Sequence, residues 1–191
     1  MSGRLGSNHG TALLLIDVQN SFFHPDGGNY YPESRDVLPS LHRLLDRARN
    51  SGRLVIHAAE QHRPNVEDFE TAKLPEHCIA GEFDAQFFEG FGPNDETELF
   101  LAKRRMSAFC ATDLDLLLRE MGIDRLVIAG VKANVCVRAT IQDAFSLGYR
   151  CIVPREAVNS NRSHLADASL EDIDRYMGWV VSIQEAEEML T

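Results

Sequence analysis

Short apolar runs alternate along this chain with longer stretches whose apolar positions recur every three or four residues. The runs cover residues 12–16, 54–56, 98–102, 126–129, 151–153 and 179–181. Runs of this length without polar alternation are the mark of strands covered on both faces. Between them, Val37, Leu41, Leu44, Leu45 and Ala48 keep helical spacing over about 33–50, with Gly52 as the stop. Leu114, Leu117, Leu118 and Met121 do the same, opened by Thr112 or Asp113 and closed by Gly122. A third stripe runs through Val137, Ile141, Ala144 and Phe145 to Gly148. A fourth helix is predicted over 163–177, and Ser182 with Glu185 is a capping box for a last short one. Strands alternating with helices predict a single-domain, three-layer α/β/α sandwich around a six-stranded, mostly parallel sheet. One domain over 1–191 is expected, with residues 1–10 as a loose polar tail.

In such sheets, ligands bind outside the carboxyl ends of the strands. Asp17, Lys103 and Cys136 each stand at the carboxyl end of a different apolar run, so all three are expected at one rim. Cys136 also falls at the start of the third helical stripe, where unpaired backbone N–H groups favour a thiolate and an oxyanion. Alone, it would also read as a small packing residue at a turn. An ammonium about 4 Å from a thiolate is worth on the order of 4 kcal/mol at an effective dielectric near 20, so Lys103 is expected to lower the Cys136 pKa. Asp17 is then placed to take the thiol proton and return it to a leaving group. An ion pair at a strand edge beside an unrelated cysteine is the plainer account of the same three residues.

Composition narrows the classes. Twenty-nine acidic against 19 basic residues give a formal charge of −10, which argues against nucleic acid or an anionic membrane as partner. Cys78, Cys110, Cys136 and Cys151 form no CxxC pair, and no signal-like segment precedes them, so free thiols and a cytoplasmic setting are expected. No GxGxxG or GxxxxGK[ST] follows any strand. The aromatic-rich loop 21–32 includes Phe22, Phe23, Tyr30 and Tyr31, equally suited to loop packing and to a pocket wall. Residues 60–98 lack periodicity and are too long for a plain connection, so they are expected to cover the site irregularly. Glu60, His62 and His77 within them are competent metal ligands, but their spacing matches no tight motif and favours polar loop residues.

The segments Ile16-Asp17-Val18-Gln19, Lys103-Arg104-Arg105-Met106-Ser107-Ala108-Phe109 and Gly130 to Thr140 resemble, in order and spacing, three signatures of the isochorismatase-like cysteine hydrolases. That superfamily includes nicotinamidases, N-carbamoylsarcosine amidohydrolases, and ureide, biuret and maleamate hydrolases. The resemblance implies an Asp17–Lys103–Cys136 triad, a non-proline cis peptide at Val131–Lys132, and a homodimer or homotetramer. It implies C–N hydrolysis of a small amide or ureide through a thioester, and because the triad supplies nucleophile, base and charge stabilisation, the chemistry is expected to need no cofactor and no metal. Backbone N–H groups of the turn Val131, Lys132, Ala133, Asn134, Val135 and Cys136 are expected to hold the oxyanion, and Gln19, Phe22 and Phe109 to line the pocket. The chain departs from the family at Ala133, where Thr or Ser is common, and at Glu60, where nicotinamidases carry Asp. The segment His77-Cys78-Ile79-Ala80-Gly81 looks like the one that brings a metal-ligating histidine in nicotinamidases. Two other functions share the pattern: vinyl-ether hydrolysis of isochorismate, which Cys136 disfavours because glycine often stands there, and a catalytically silent binding member of the fold.

Overall fold

The computed structural model describes residues 10–94 and 98–191. The parallel sheet runs in the order β3-β2-β1-β4-β5-β7, from β1 (Gly10–Ile16), β2 (Leu54–Glu60), β3 (Glu98–Lys103), β4 (Ile123–Val131), β5 (Arg150–Pro154) and β7 (Trp179–Val181). All six predicted strands are present. A seventh, β6 (Val158–Asn159), is two residues long and pairs with β4 beyond its contact with β5. Two residues carry no period, so no sequence pattern announces β6. The expected tail 1–10 lies outside the described residues except for Gly10, which opens β1.

The helices are α1 (Asn20–Phe23), α2 (Leu38–Asn50), α3 (Leu114–Glu120), α4 (Arg138–Ser146), α5 (Ser163–Tyr176) and α6 (Ile183–Met189). The sheet divides two cores because successive side chains of a strand point to opposite faces. Ala12, Leu14 and Ile16 of β1 join Leu118, Ile141 and Ile173 on one face, and Leu13 and Leu15 join Leu41, Leu44, Leu45 and Ala186 on the other. Double coverage is why β1 reads as an unbroken apolar run rather than an alternating one.

Two helical expectations are adjusted and a third is met. The stretch read as one helix from 33 begins as a 3-10 turn, Pro32–Val37, and α2 starts only at Leu38. Pro39 lies in the first turn of α2, where its missing N–H is harmless, but its ring excludes a regular helix upstream. Phe145 does not share the buried stripe of α4: Val137, Ile141 and Ala144 are fully buried while Phe145 is half exposed. The capping box at Ser182 and Glu185 is formed in both directions.

Gly130 fixes how closely β4 approaches β1 beside Asp17. Its φ is +122°, and a Cβ there would lie 2.1 Å from the carbonyl oxygen of Ile16. That atom is backbone in the middle of the sheet and cannot move aside. Gly130→Ala is therefore expected to cost roughly 3 kcal/mol or more and to lower Tm by about 6 °C or more. Thermal unfolding by circular dichroism checks this, and an unchanged Tm would show that the strands can separate there.

Candidate active site

Three strand ends and one turn build the site. Asp17 follows β1 directly and turns the chain with a left-handed φ of 54°, its N–H donating to the carbonyl of Ala58 at 2.8 Å. Asp17 Oδ1 accepts the Glu60 N–H at 3.0 Å, which ties the carboxylate to the end of β2. Lys103 is the last residue of β3 and pairs in register with Glu60, so β2 carries it within reach of β1. Cys136 sits in a wide helical turn, Ala133–Val137, between β4 and α4, and the peptide bond Val131–Lys132 ahead of it is cis. The helix-start placement of Cys136 and the cis bond expected from the family resemblance are both present.

Lys103 Nζ lies 2.9 Å from Asp17 Oδ2 and 3.6 Å from Cys136 Sγ. Asp17 and Lys103 have no exposed surface, and Cys136 is buried. Burial raises the Asp17 carboxyl; Lys103 opposes the rise and Glu60 adds to it, leaving the group at about 6. Burial also works against the charge of Lys103, but Asp17, Cys136 and Glu60 outweigh it and hold the ammonium well above its ordinary range. The expected lowering of the Cys136 thiol is not met. Burial drives it up, and the pull of Lys103 is smaller than the combined cost of desolvation and the neighbouring carboxylates. The resting site is a neutral thiol beside a carboxylate–ammonium pair.

Cys136 opens into a cavity of about 200 Å³ walled by Phe22, Glu60, Glu70, His77, Met106 and Lys132. Of the three residues expected to line the pocket, only Phe22 does so. The Gln19 side chain is fully buried and spent on the backbone: it donates to the carbonyls of Glu60 and Ala85 at 3.0 and 2.8 Å and accepts the Glu60 N–H at 2.8 Å. It braces the end of β1 against β2. Phe109 packs on the Tyr149 ring at 5.5 Å, on the side of the core covered by α3 and α4.

Glu60, His62 and His77 are not scattered loop residues, as their spacing suggested. Together with Glu70 they bring ligand atoms within 4.8 Å of one another. His62 Nδ1 is hydrogen-bonded to Asp68 Oδ2 at 3.0 Å and His77 Nδ1 to the Pro75 carbonyl at 2.8 Å. Each Nε2 is left facing Glu60, at 3.6 and 3.4 Å. His62 Nε2 and Glu70 Oε2 are buried without a hydrogen-bond partner. Two imidazoles oriented through their far nitrogens, two carboxylates and an orphaned pair of polar atoms fit a divalent ion such as zinc or ferrous iron. Without metal, protons hold the same cluster together. Glu60 raises His62 and brings His77 to about 9, and both histidines keep the Glu60 carboxylate well below its ordinary range in spite of burial.

Sequence reasoning missed Asp68 and Glu70, which lie in a stretch where acidic residues follow no period. It named Lys132 only for its backbone. The available signal was a charged residue set directly after the buried strand β4.

The isochorismatase domain family matches residues 11–185. The chain is 34% identical over 192 residues to maleamate amidohydrolase of Pseudomonas putida, spanning 98% of this chain and 90% of the relative. It is 30% identical to N-carbamoylsarcosine amidase of an Arthrobacter species, spanning 98% of this chain and 74% of that one. The crystal structure of an isochorismatase-like hydrolase from Alkaliphilus metalliredigens superposes with a TM-score of 0.87 at 30% identity, covering 95% of this chain and all of that one.

Proposed function

Because this chain belongs to the isochorismatase family, we propose that it is a cysteine hydrolase that cleaves the C–N bond of a small amide or ureide. The observation that carries the reading is the Lys103 ammonium set between the Asp17 carboxylate and the Cys136 sulfur, in a buried corner that opens on one small cavity. The names of the maleamate and N-carbamoylsarcosine relatives support the substrate class.

The Asp17 carboxylate takes the Cys136 thiol proton as the sulfur attacks the substrate carbonyl carbon. Lys103 stabilises the sulfur charge during the attack, and the new oxyanion faces backbone N–H groups of residues 131–136. The C–N bond breaks as Asp17 returns the proton to the leaving nitrogen, which departs as ammonia or an amine. A thioester on Cys136 remains. Water then gives a proton to Asp17 and attacks the thioester carbonyl, the C–S bond breaks, and the acid product leaves as Asp17 reprotonates the sulfur. Nucleophile, base and stabilisation of the sulfur charge come from side chains, and the oxyanion is stabilised by the backbone. A divalent ion on Glu60, His62, Glu70 and His77 would add a Lewis-acidic anchor at the pocket wall. Free thiols and the exposed Phe69, Leu74 and Met106 near the pocket support the further reading of a cytoplasmic homodimer or homotetramer. Among the described residues, no helix is long and apolar enough to cross a membrane.

Ammonia release from a panel of small amides and ureides, with mass spectrometry of quenched enzyme, tests the proposal. A substrate-dependent mass increase on the peptide carrying Cys136 is expected, and turnover with no acyl adduct in any quenched sample would favour a non-covalent route. The base must be ionised, so kcat/KM is expected to rise tenfold per pH unit below about 6 and to level off above it. A flat profile from pH 5 to 7 would remove Asp17 from the role. Zinc titrated into chelator-treated protein is expected to raise Tm by roughly 5–10 °C at a hundredfold excess over Kd, and to do so in neither His62→Ala nor His77→Ala. No rise in the wild-type protein would assign the cluster to its proton-held form.

A further inference from the structure

Lys132 shares the cavity with Cys136, and among the described residues it is the charged wall residue with no ion-pair partner within 4 Å, Glu60 acting on it only from a distance. Glu60, Glu70 and His77, the other charged groups on the wall, belong to one ion-paired cluster with His62. Lys103, behind the sulfur, is committed to Asp17. No described residue accepts a hydrogen bond from Lys132 or places a carboxylate within 4 Å of it. Its Nζ lies instead 5.7 Å from the Phe22 ring centroid and 5.6 Å from that of Tyr31. Both rings are buried. The Tyr31 hydroxyl donates to Asn159 Oδ1 at 2.7 Å, and Asn159 Nδ2 in turn donates to the Glu33 carbonyl.

Two ring faces position a cation and stabilise its charge, but they leave its three N–H donors without strong acceptors. The amine is also partly desolvated, which works to lower its pKa. A cation held this way is built to receive an acceptor from the cavity. An anion bound there would gain a charge-assisted hydrogen bond to a side chain that its surroundings already hold in place.

We propose that Lys132 binds a carboxylate of the substrate, so that the site takes short acidic amides or ureides: the monoamide of a small dicarboxylic acid, or an N-carbamoyl amino acid. This rests on the C–N hydrolase reading for which group is cleaved, but not for the binding of the anion. The carboxylate at Lys132 and the scissile carbonyl at Cys136 occupy one cavity of about 200 Å³, so only a short spacer fits between them. The ion-paired cluster on the glutamate wall offers no such open cation.

The test compares malonamate, succinamate, maleamate and N-carbamoylglycine, and sets succinamate against its uncharged isostere levulinamide. The ratio of kcat/KM for the best acidic substrate over its uncharged isostere is expected to fall about 10- to 150-fold in Lys132→Met, mainly through KM, and to recover in part in Lys132→Arg. An unchanged ratio would overturn the proposal. Binding is read separately by calorimetry on Cys136→Ala protein, which cannot turn substrate over. At least one of the four acids is expected to bind there, and to bind at least tenfold more weakly when Lys132→Met is added. If no compound is hydrolysed but this Lys132-dependent binding is seen, the hydrolase reading fails and the carboxylate site stands. If none of the four acids binds in a Lys132-dependent way, the carboxylate site fails, whatever the enzyme hydrolyses.

Discussion

Cys136→Ala is expected to lower turnover by at least about four orders of magnitude while leaving the fold in place. The sulfur is the atom to which the acyl group would be joined, and no other thiol can replace it. Cys78 and Cys151 are fully buried with their thiols pushed up by burial, Cys151 to about 12. Cys110 is exposed, away from the walls of the cavity that Cys136 opens into. The substitution removes one sulfur from a buried turn, so far-UV circular dichroism should be unchanged. Cys110→Ala is the matched control, expected to keep full turnover. Measurable hydrolysis at even a hundredth of the wild-type rate by Cys136→Ala would rule out covalent catalysis at this residue.

Lys103→Met should cost two to four orders of magnitude in kcat and also destabilise the protein, because in the proposed mechanism the lysine serves both ends of the proton transfer. Without the ammonium, a carboxylate with no exposed surface loses its counter-charge at 2.9 Å. An unpaired buried charge costs about 3–5 kcal/mol, unless the group takes up a proton instead. Uptake is the easier course here, since burial already holds Asp17 at about 6 with the lysine present. The sign follows directly: removing the lowering influence of Lys103 carries the Asp17 pKa upward, and the fraction of ionised base at neutral pH falls. The acidic limb of the kcat/KM profile should therefore move to higher pH in the variant. Normal activity with an unmoved limb would reduce Lys103 to a structural ion-pair partner.

The strands and the three candidate site residues were legible because each lies where a strong local pattern changes. Asp17 ends the buried run of β1, Lys103 is the last residue of β3, and Cys136 starts an amphipathic stripe after β4. Topology then brings those changes to one rim. What was not legible depends on contacts between segments with no period of their own. Glu70 and His77 meet Glu60 only because residues 61–94 fold back over the end of β2, anchored by bridges such as His62 to Ile79. The Gln19 amide looked available for a substrate because nothing in its neighbours shows that the Glu60 and Ala85 backbones consume it. The direction of the Cys136 shift was misjudged for a related reason. Sequence reveals which charges are near a thiol but not how much water has been removed from it.

One consequence lies in the position of β3 at the edge of the sheet. Lys103 rides on the outermost strand, bonded among the described strands to β2 alone. At the far end of that strand, Glu98 is gripped by Arg49 at 2.6 Å and by His57 at 2.8 Å. Edge strands open at a lower free energy than the centre of a sheet. Peeling of β3 is expected to withdraw the ammonium from Asp17 and Cys136, and Leu101 from one core, before the centre of the sheet opens. The proposed activity is thereby expected to be lost through a fluctuation smaller than global unfolding. Gentle denaturant should silence the molecule before any change in its circular dichroism, with amide exchange along 98–103 rising in step, and the Arg49–Glu98–His57 latch sets the concentration at which this begins.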